Sequence, residues 1–168
     1  MTVKNENTLK NLMDAFAGES QANRKYLAFA KKAEAEGYPN IAKLFRSAAE
    51  AETIHALKHL QTAGKIGSTI ENLQAAVEGE TFEFEKMYPG FIEQAQNAQE
   101  NDALRTFTFA NKAEEVHAKL YSEAYEAIKS GQDMEATYFV CPVCGNIEKG
   151  MVDKCFICGA DGQKFFQV

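Results

Sequence analysis

The sequence predicts an all-α four-helix bundle followed by a small C-terminal metal-binding domain. Three features support this: apolar residues at helical spacing through most of the chain, a Glu-x-x-His pattern that occurs twice, and four cysteines confined to the end. We place the bundle at residues 1–133 and the small domain at residues 134–168, because the composition changes after Asp133. A chain of 168 residues can hold one ordinary domain and such an appendage.

The first two helices form a predicted hairpin. A stripe of apolar residues predicts the first helix from residue 5 to about residue 36. Gly37 and Pro39 end it, because glycine can take the left-handed cap and proline cannot continue a helix. The second helix is predicted from about residue 40 to Thr62.

The second pair of helices is less regular. A helical pattern covers residues 69–99 and can be capped by Ser68 or the next residue. Because it contains Gly79 and Pro89, we expect a kink or a split into two helices. The last helix, predicted to be capped by Asn101 and Asp102, runs to about Lys129.

Glu-x-x-His occurs once in each predicted pair of helices, at Glu52 with His55 and at Glu114 with His117. Residues three apart on a helix share a face, so a carboxylate oxygen and an imidazole nitrogen can point at the same ion. One copy alone is typical of a solvated helix face. A second copy in a matching context favours a metal site.

A longer repeat adds one glutamate to each half. The pattern Leu-x-x-Ala-(Phe/Val)-x-Gly-Glu-(Ser/Thr) contains Glu19 in the first helix and Glu80 in the third. Glu19 precedes Glu52 by 33 residues and Glu80 precedes Glu114 by 34, so the halves are predicted to pack about a pseudo-twofold axis. All four glutamates lie about 16 to 21 Å along their helices, at about 1.5 Å per residue.

Four carboxylates at one level of an apolar interior are very costly unless cations neutralise them. One Glu from each of two helices, with Glu-x-x-His from each of the other two, is the arrangement of di-iron and di-manganese carboxylate bundles. The sequence therefore predicts a site for two divalent metal ions among the four helices.

The two halves differ at one place. Glu83 stands three residues after Glu80, whereas the first half has Ala22 at the matching position. We interpret Glu83 as a terminal ligand to one metal only, which suits redox chemistry; an exposed residue of an acidic segment is the alternative. Tyr26 and Tyr88 fall on the same stripe, where a phenol can hydrogen-bond a ligand carboxylate, and ordinary core tyrosines are the alternative.

Two C-x-x-C-Gly units in the tail predict a tetrahedral site of four sulfurs. The glycine after each pair allows the chain to turn so that backbone N–H groups face the sulfurs. The pattern alone allows zinc or iron, and two disulfides are disfavoured in a cytosolic setting. The four ligands are Cys141, Cys144, Cys155 and Cys158.

Charge and hydropathy exclude several classes of function. The net charge of -6 argues against binding of nucleic acid. No apolar run approaches the roughly 18 residues that a membrane-spanning helix needs. The polar N-terminus does not resemble a signal peptide, so we expect a cytoplasmic protein.

Together these motifs resemble the rubrerythrin family over essentially the whole chain. The resemblance implies a ferritin-like four-helix bundle and a rubredoxin-like domain, with two iron ions in the carboxylate/His site and one iron on four cysteines. It is carried by Gly18-Glu19-Ser20, both Glu-x-x-His copies, Glu71-Asn72-Leu73-Gln74-Ala75-Ala76, Gly79-Glu80-Thr81-Phe82-Glu83, Met87-Tyr88-Pro89 and Cys-Pro-Val-Cys-Gly.

The resemblance also implies a role for each iron ligand of the bundle. One iron moves between Glu83 and His55 as the site changes redox state. The other ligands bridge the irons or bind one of them: Glu52 and Glu114 bridge, Glu19 joins Glu83 on the first iron, and Glu80 and His117 hold the second.

The implied activity is NAD(P)H-linked reduction of hydrogen peroxide to water in protection against oxidative stress. The four-cysteine iron would pass electrons to the di-iron site and receive them from an external reductase or rubredoxin-type carrier. A ferroxidase or iron-storage protein is the alternative, disfavoured by the appended domain and by Glu83. A purely structural zinc protein is a third possibility.

We also expect a head-to-tail homodimer. Ser130 lies 16 residues beyond Glu114, which is about 24 Å of helix. The tail is therefore expected to start far from the bundle centre of its own chain. A head-to-tail dimer would place each tail beside the di-iron site of the other subunit.

Overall fold

The computed structural model describes residues 3–168, and these divide into two compact units. The first unit ends at Gly67, and the second runs from Ser68 to Val168. Met1 and Thr2, the start of the polar N-terminus behind the cytoplasmic prediction, lie outside the described residues. Over the part of the chain that is described, every helix is too short or too polar to cross a membrane.

The first unit is a hairpin of two long helices, α1 (Glu6–Ala35) and α2 (Pro39–Thr62). Asn5 caps α1 by accepting a hydrogen bond from the Thr8 N–H. Gly37 has a φ of 83°, which confirms the predicted left-handed end. Small side chains let the two helices approach closely, and the buried ones are Ala30, Ala33, Ala42, Ala49 and Ala56.

The helices of the second unit are α3 (Thr69–Phe82), α4 (Tyr88–Asn97) and α5 (Asn101–Lys129). Ser68 caps α3 in a capping box with Glu71, as predicted for one of the two candidate caps. The predicted cap of α5 is wrong. Asn101 is already the first helical residue, and Glu100 occupies the cap position without a side-chain hydrogen bond.

A π-helical turn, Glu83–Met87, joins α3 to α4 and confirms that this stretch is irregular. Its wider turn pairs the Tyr88 N–H with the Glu83 carbonyl, five residues back. A π turn holds one more residue than an α turn. This explains why Tyr88 lies eight residues after Glu80, whereas Tyr26 lies seven after Glu19.

The internal repeat extends to the aromatic packing of each unit. In both, a tyrosine and the phenylalanine three residues later contact a phenylalanine of the long partner helix. The closest rings of each triad have centroids 5.6 Å apart. The triads are Tyr26, Phe29 and Phe45 in the first unit and Tyr88, Phe91 and Phe107 in the second.

The C-terminal segment folds as a small antiparallel sheet of three strands, β1 (Tyr138–Val140), β2 (Ile147–Lys149) and β3 (Phe166–Gln167). The strand order is β2-β1-β3, which confirms the predicted strand at β1. Two cysteines and Phe165 form its buried core. This segment belongs to the same compact unit as α3–α5, and the domain boundary after residue 133 stays a prediction.

Deletion of Glu85 tests the role of the π turn. Removing this exposed residue converts the turn to regular α-helix, so Tyr88 keeps its face and the aromatic triad survives. Deletion of Glu78, an exposed residue of regular α3, instead rotates everything beyond it by about 100°. Thermal unfolding followed by circular dichroism should show a near-normal Tm for the first variant and a much lower one for the second. Equal losses would contradict this account.

Candidate metal centres

The first unit brings three predicted ligands together. One donor atom from each of Glu19, Glu52 and His55 lies within 4.8 Å of the others. The His55 Nδ1 is 2.9 Å from Glu52 Oε2, as expected for residues three apart on α2. The His55 side chain is 55% exposed, so Glu52 is the main restraint on the ring.

Asn23 fixes the register of α1 against α2 beside this cluster. Its side-chain amide donates to the Ala49 carbonyl at 2.7 Å and to Thr53 Oγ1 at 2.8 Å. Asn23 is one turn beyond Glu19, and Thr53 follows Glu52. These hydrogen bonds therefore hold the two carboxylates level. Its place on the apolar stripe of α1 was visible in the sequence, but its role was not predicted.

The second unit repeats the cluster with Glu80, Glu114 and His117, again with donor atoms within 4.8 Å of one another. The His117 Nδ1 is 2.7 Å from Glu114 Oε2 and 4.0 Å from Glu80 Oε1. The side chain of His117 is only 17% exposed, which makes this cluster the more enclosed of the two.

Crowding of acidic groups makes the second cluster electrostatically costly without a cation. Burial and the neighbouring charge of Glu114 raise the pKa of Glu80 to about 7. Burial and the same Glu114 charge also raise the pKa of Glu83. Both carboxyl groups therefore hold a proton more readily than an ordinary glutamate, and a divalent cation in the cluster would neutralise them in its place.

His117 is held at both ring nitrogens. Its Nε2 lies 3.0 Å from the Gly145 carbonyl and donates to it, while Nδ1 faces the carboxylates. Burial disfavours the charged ring, but the Glu114 and Gly145 acceptors outweigh this and raise the pKa of His117. The bond to Gly145 keeps a proton on Nε2, so Nδ1 is the atom that would bind a metal. Because the raised pKa favours a proton on Nδ1 as well, metal binding there would release that proton.

The cysteine tail turns back toward the second cluster of its own chain. The chain turns back after α5, and Gly145 reaches the side chain of His117. An ion pair between Lys149 and Glu123 also joins β2 to α5. The 24 Å estimate concerns where the tail begins, and the head-to-tail homodimer inferred from it stays a prediction.

The remaining candidates of the bundle lie near the second cluster or in an aromatic triad. Glu83 is outside the 4.8 Å group, but its charge contributes to the raised pKa of Glu80. Burial and the charges of Glu114, Glu83 and Glu80 raise the pKa of Tyr88, so its phenol stays protonated. Tyr26 packs its ring on Phe29 and Phe45.

The four cysteines form a third cluster, with donor atoms within 4.8 Å of one another. The sulfurs of Cys141 and Cys158 are 3.6 Å apart, and those of Cys144 and Cys155 are 3.5 Å apart. A disulfide requires about 2.0 Å. Four thiolates about 2.3 Å from one tetrahedral ion are separated by about 3.8 Å, so the spacing fits a metal.

Backbone N–H groups face the sulfurs as predicted. Gly145 and Gly159 have φ values of 80° and 74°, which turn the chain after each C-x-x-C pair. The next N–H, of Asn146 or Ala160, then hydrogen-bonds the second sulfur of its pair. Such bonds favour the thiolate form that a metal requires.

These centres define a helical carboxylate/histidine metalloprotein with an appended four-cysteine metal domain. A model of the family described as Rubrerythrin matches residues 10–125. The chain belongs to the rubrerythrin family, and its fold is ferritin-like with a C-terminal rubredoxin-like segment.

Relatives cover almost all of the chain. It is 39% identical to Rubrerythrin-2 of Clostridium acetobutylicum, with 98% of each chain covered. It is 41% identical to nigerythrin of Nitratidesulfovibrio vulgaris over 90% of this chain and 81% of that protein. A solved structure of nigerythrin in its fully reduced, all-ferrous state matches with a TM-score of 0.58 and 36% identity, covering 100% of this chain and 89% of that one. The carboxylate/His residues are thus candidates for a di-iron site, and the cysteines for a rubredoxin-like iron site.

The raised pKa of Glu80 predicts how the metal-free protein responds to pH. The folded state holds a proton that the unfolded state has released, so stability falls as pH rises from about 4.5 to about 7. Thermal unfolding with a chelator present should show this slope. It should be shallower in Glu80→Gln and unchanged in Glu78→Gln, an exposed control on α3. Identical slopes in all three proteins would contradict the assignment.

The bundle and the tail should lose metal separately. Cys144→Ser should abolish the red colour of ferric iron on four thiolates, because one ligand is lost, while the bundle keeps its iron. Glu80→Gln should keep the colour and lose bundle iron. Visible absorption together with iron content per chain distinguishes the two variants. Loss of colour in Glu80→Gln would contradict separate sites.

Proposed function

We propose that this protein is a non-haem peroxidase that reduces hydrogen peroxide to water and protects against oxidative stress. The observation that carries the proposal is the hydrogen bond between His117 and Gly145, which connects the two kinds of metal site. One side of it is a carboxylate cluster that can change ligands. The other is a four-sulfur cluster in which Gly145 directly follows Cys144.

Bound iron supplies the redox chemistry: two electrons and two protons convert one hydrogen peroxide to two waters, with cleavage of the O–O bond. The chain separates substrate binding from electron transfer. Four thiolates close the cysteine site and leave no open position for substrate. Carboxylates and imidazoles can leave an open position, so peroxide is reduced in the bundle.

The two histidines suit different tasks. His117 is fixed at both nitrogens and is enclosed, so it keeps its ligand atom in place. His55 is more exposed and is tied through Glu52, so its ring can leave and return at small cost. This suits His55 as the ligand that would be gained and lost when iron is bound, with Glu83 as its alternative. The protonated phenol of Tyr88 remains a hydrogen-bond donor near these carboxylates.

Electrons enter through the four-cysteine segment. Val143 and Phe156, which lie inside the two C-x-x-C loops, are 56% and 68% exposed. Two exposed apolar side chains beside a redox centre suit a transient contact with an electron donor. We propose an NAD(P)H-linked reductase or a rubredoxin-type carrier as that donor, in the cytoplasm, and a homodimer as the working form.

Stopped-flow mixing of anaerobically reduced protein with peroxide or with oxygen tests the proposal. Oxidation by peroxide should be much the faster. In Cys144→Ser the single turnover of chemically reduced protein should persist, whereas steady turnover with an external donor should stop. Faster oxidation by oxygen would favour the ferroxidase alternative. Undiminished steady turnover in Cys144→Ser would exclude the electron route.

A further inference from the structure

We propose that Asn146 is a positioning residue, whose buried side chain fixes the orientation of the peptide group between Gly145 and Asn146. This peptide group is the part of the cysteine loop that contacts His117. The proposal rests on the proposed function for its kinetic consequence, because it concerns the contact between the two kinds of metal site. It gives a role to a residue whose own side chain binds no metal.

The peptide group between residues 145 and 146 has a hydrogen-bond partner at each end. Its carbonyl, that of Gly145, accepts from His117 Nε2 at 3.0 Å. Its N–H, that of Asn146, donates to the sulfur of Cys144. A trans peptide group is planar, so its C=O and N–H point in opposite directions and turn together. One rotation of this group therefore weakens both contacts.

Gly145 places little restraint on that rotation. Its φ of 80° is a conformation that glycine adopts without strain, and glycine also permits a wide range of ψ. A change in ψ of Gly145 turns the peptide group that follows it. Restraint from the residue on the other side therefore favours a single orientation.

Asn146 supplies this restraint. It is 0% exposed, and its carbonyl accepts from the Cys141 N–H at 2.8 Å. Its side-chain Nδ2 donates to Glu148 Oε1 at 2.7 Å. Glu148 lies in β2 and is paired with Phe139 of β1. The side-chain hydrogen bond thus ties the turn to the sheet and holds the peptide group in place.

The second cysteine loop shows that the turn itself does not require this side chain. Ala160 has the matching position there, and its carbonyl accepts from the Cys155 N–H at 2.8 Å. Its N–H donates to the sulfur of Cys158. An alanine therefore completes the same backbone pattern.

The amide of the first loop lowers stability in one respect. Among the described residues, the Oδ1 of Asn146 is buried without a hydrogen-bond partner. A buried acceptor that is left unpaired is unfavourable. Since the turn does not need this amide, we infer that it serves the contact between Gly145 and His117.

Four variants separate the side-chain hydrogen bond from the rest of the loop. Asn146→Ala gives the first loop the residue of the second, so all four thiolates and the red colour of their ferric form should remain. Glu148→Ala removes only the acceptor, whereas Glu148→Gln keeps an oxygen that can accept. Glu135→Ala, at an exposed position of the tail, is the control for loss of one negative charge.

The Nε2 proton of His117 reports the contact directly. In zinc-loaded protein, a hydrogen-bonded imidazole proton exchanges slowly with water and gives its own proton NMR signal, which His117→Gln would identify. We expect this signal in the wild type, Glu148→Gln and Glu135→Ala, and its loss in Asn146→Ala and Glu148→Ala. If Asn146→Ala does not fold, the two Glu148 variants decide the matter. A signal that persists in Glu148→Ala would overturn the proposal.

A single turnover measures the kinetic consequence. After reduced protein is mixed with peroxide, the red colour should return about tenfold more slowly in Asn146→Ala and Glu148→Ala than in the wild type. Glu148→Gln and Glu135→Ala should match the wild type. Equal rates in all five proteins would overturn the proposal. A wild-type protein that peroxide does not oxidise would instead count against the proposed function, and the NMR signal would still test the role of Asn146.

Discussion

The constraint on which this fold depends is the crowding of carboxylates inside helical packing. Glu80 and Glu114 lie close enough to share one histidine, and burial pushes the pKa of Glu80 to about 7. An apolar core does not tolerate such a group unless protons or cations neutralise it. In the first unit, Asn23 holds Glu19 and Glu52 level, and in the second unit the π turn places Tyr88 near Glu83 and Glu114. Each unit is therefore organised by its candidate metal ligands as much as by its apolar residues.

His117 joins the two kinds of centre because an imidazole has two distinct nitrogens. One nitrogen donates to Gly145 and thereby directs the other toward the carboxylates. The same contact joins the cysteine loop to α5, so it serves both docking and ligand orientation, and the ion pair between Lys149 and Glu123 adds to the docking. His55 has the equivalent place in the repeat but faces no cysteine loop in its own unit. The contact with Gly145 and the additional Glu83 make the second half of the repeat different from the first.

Most of the helices and the cysteine cluster could be predicted from the sequence, because these features are local. Helical periodicity predicted the helices to within a few residues. The two C-x-x-C-Gly units predicted the sulfur cluster and the backbone N–H groups that face it. The contact of Gly145 with His117 could not be predicted, since the path of the tail after Ser130 depends on packing against α5. The π turn is visible in the sequence only as one extra residue before Tyr88. That unequal spacing alone does not show whether the helix contains a π turn or whether Tyr88 lies on a different face of a regular helix.

Periodicity also has a limit that concerns connectivity. The α1–α2 hairpin is specified by its own short loop and by small buried residues such as Ala42 and Ala49. The apolar stripe and the ligand pattern are the same whether one chain closes its own bundle or two chains share one. Local pattern therefore determines which residues form each cluster, and packing between surfaces determines which clusters meet.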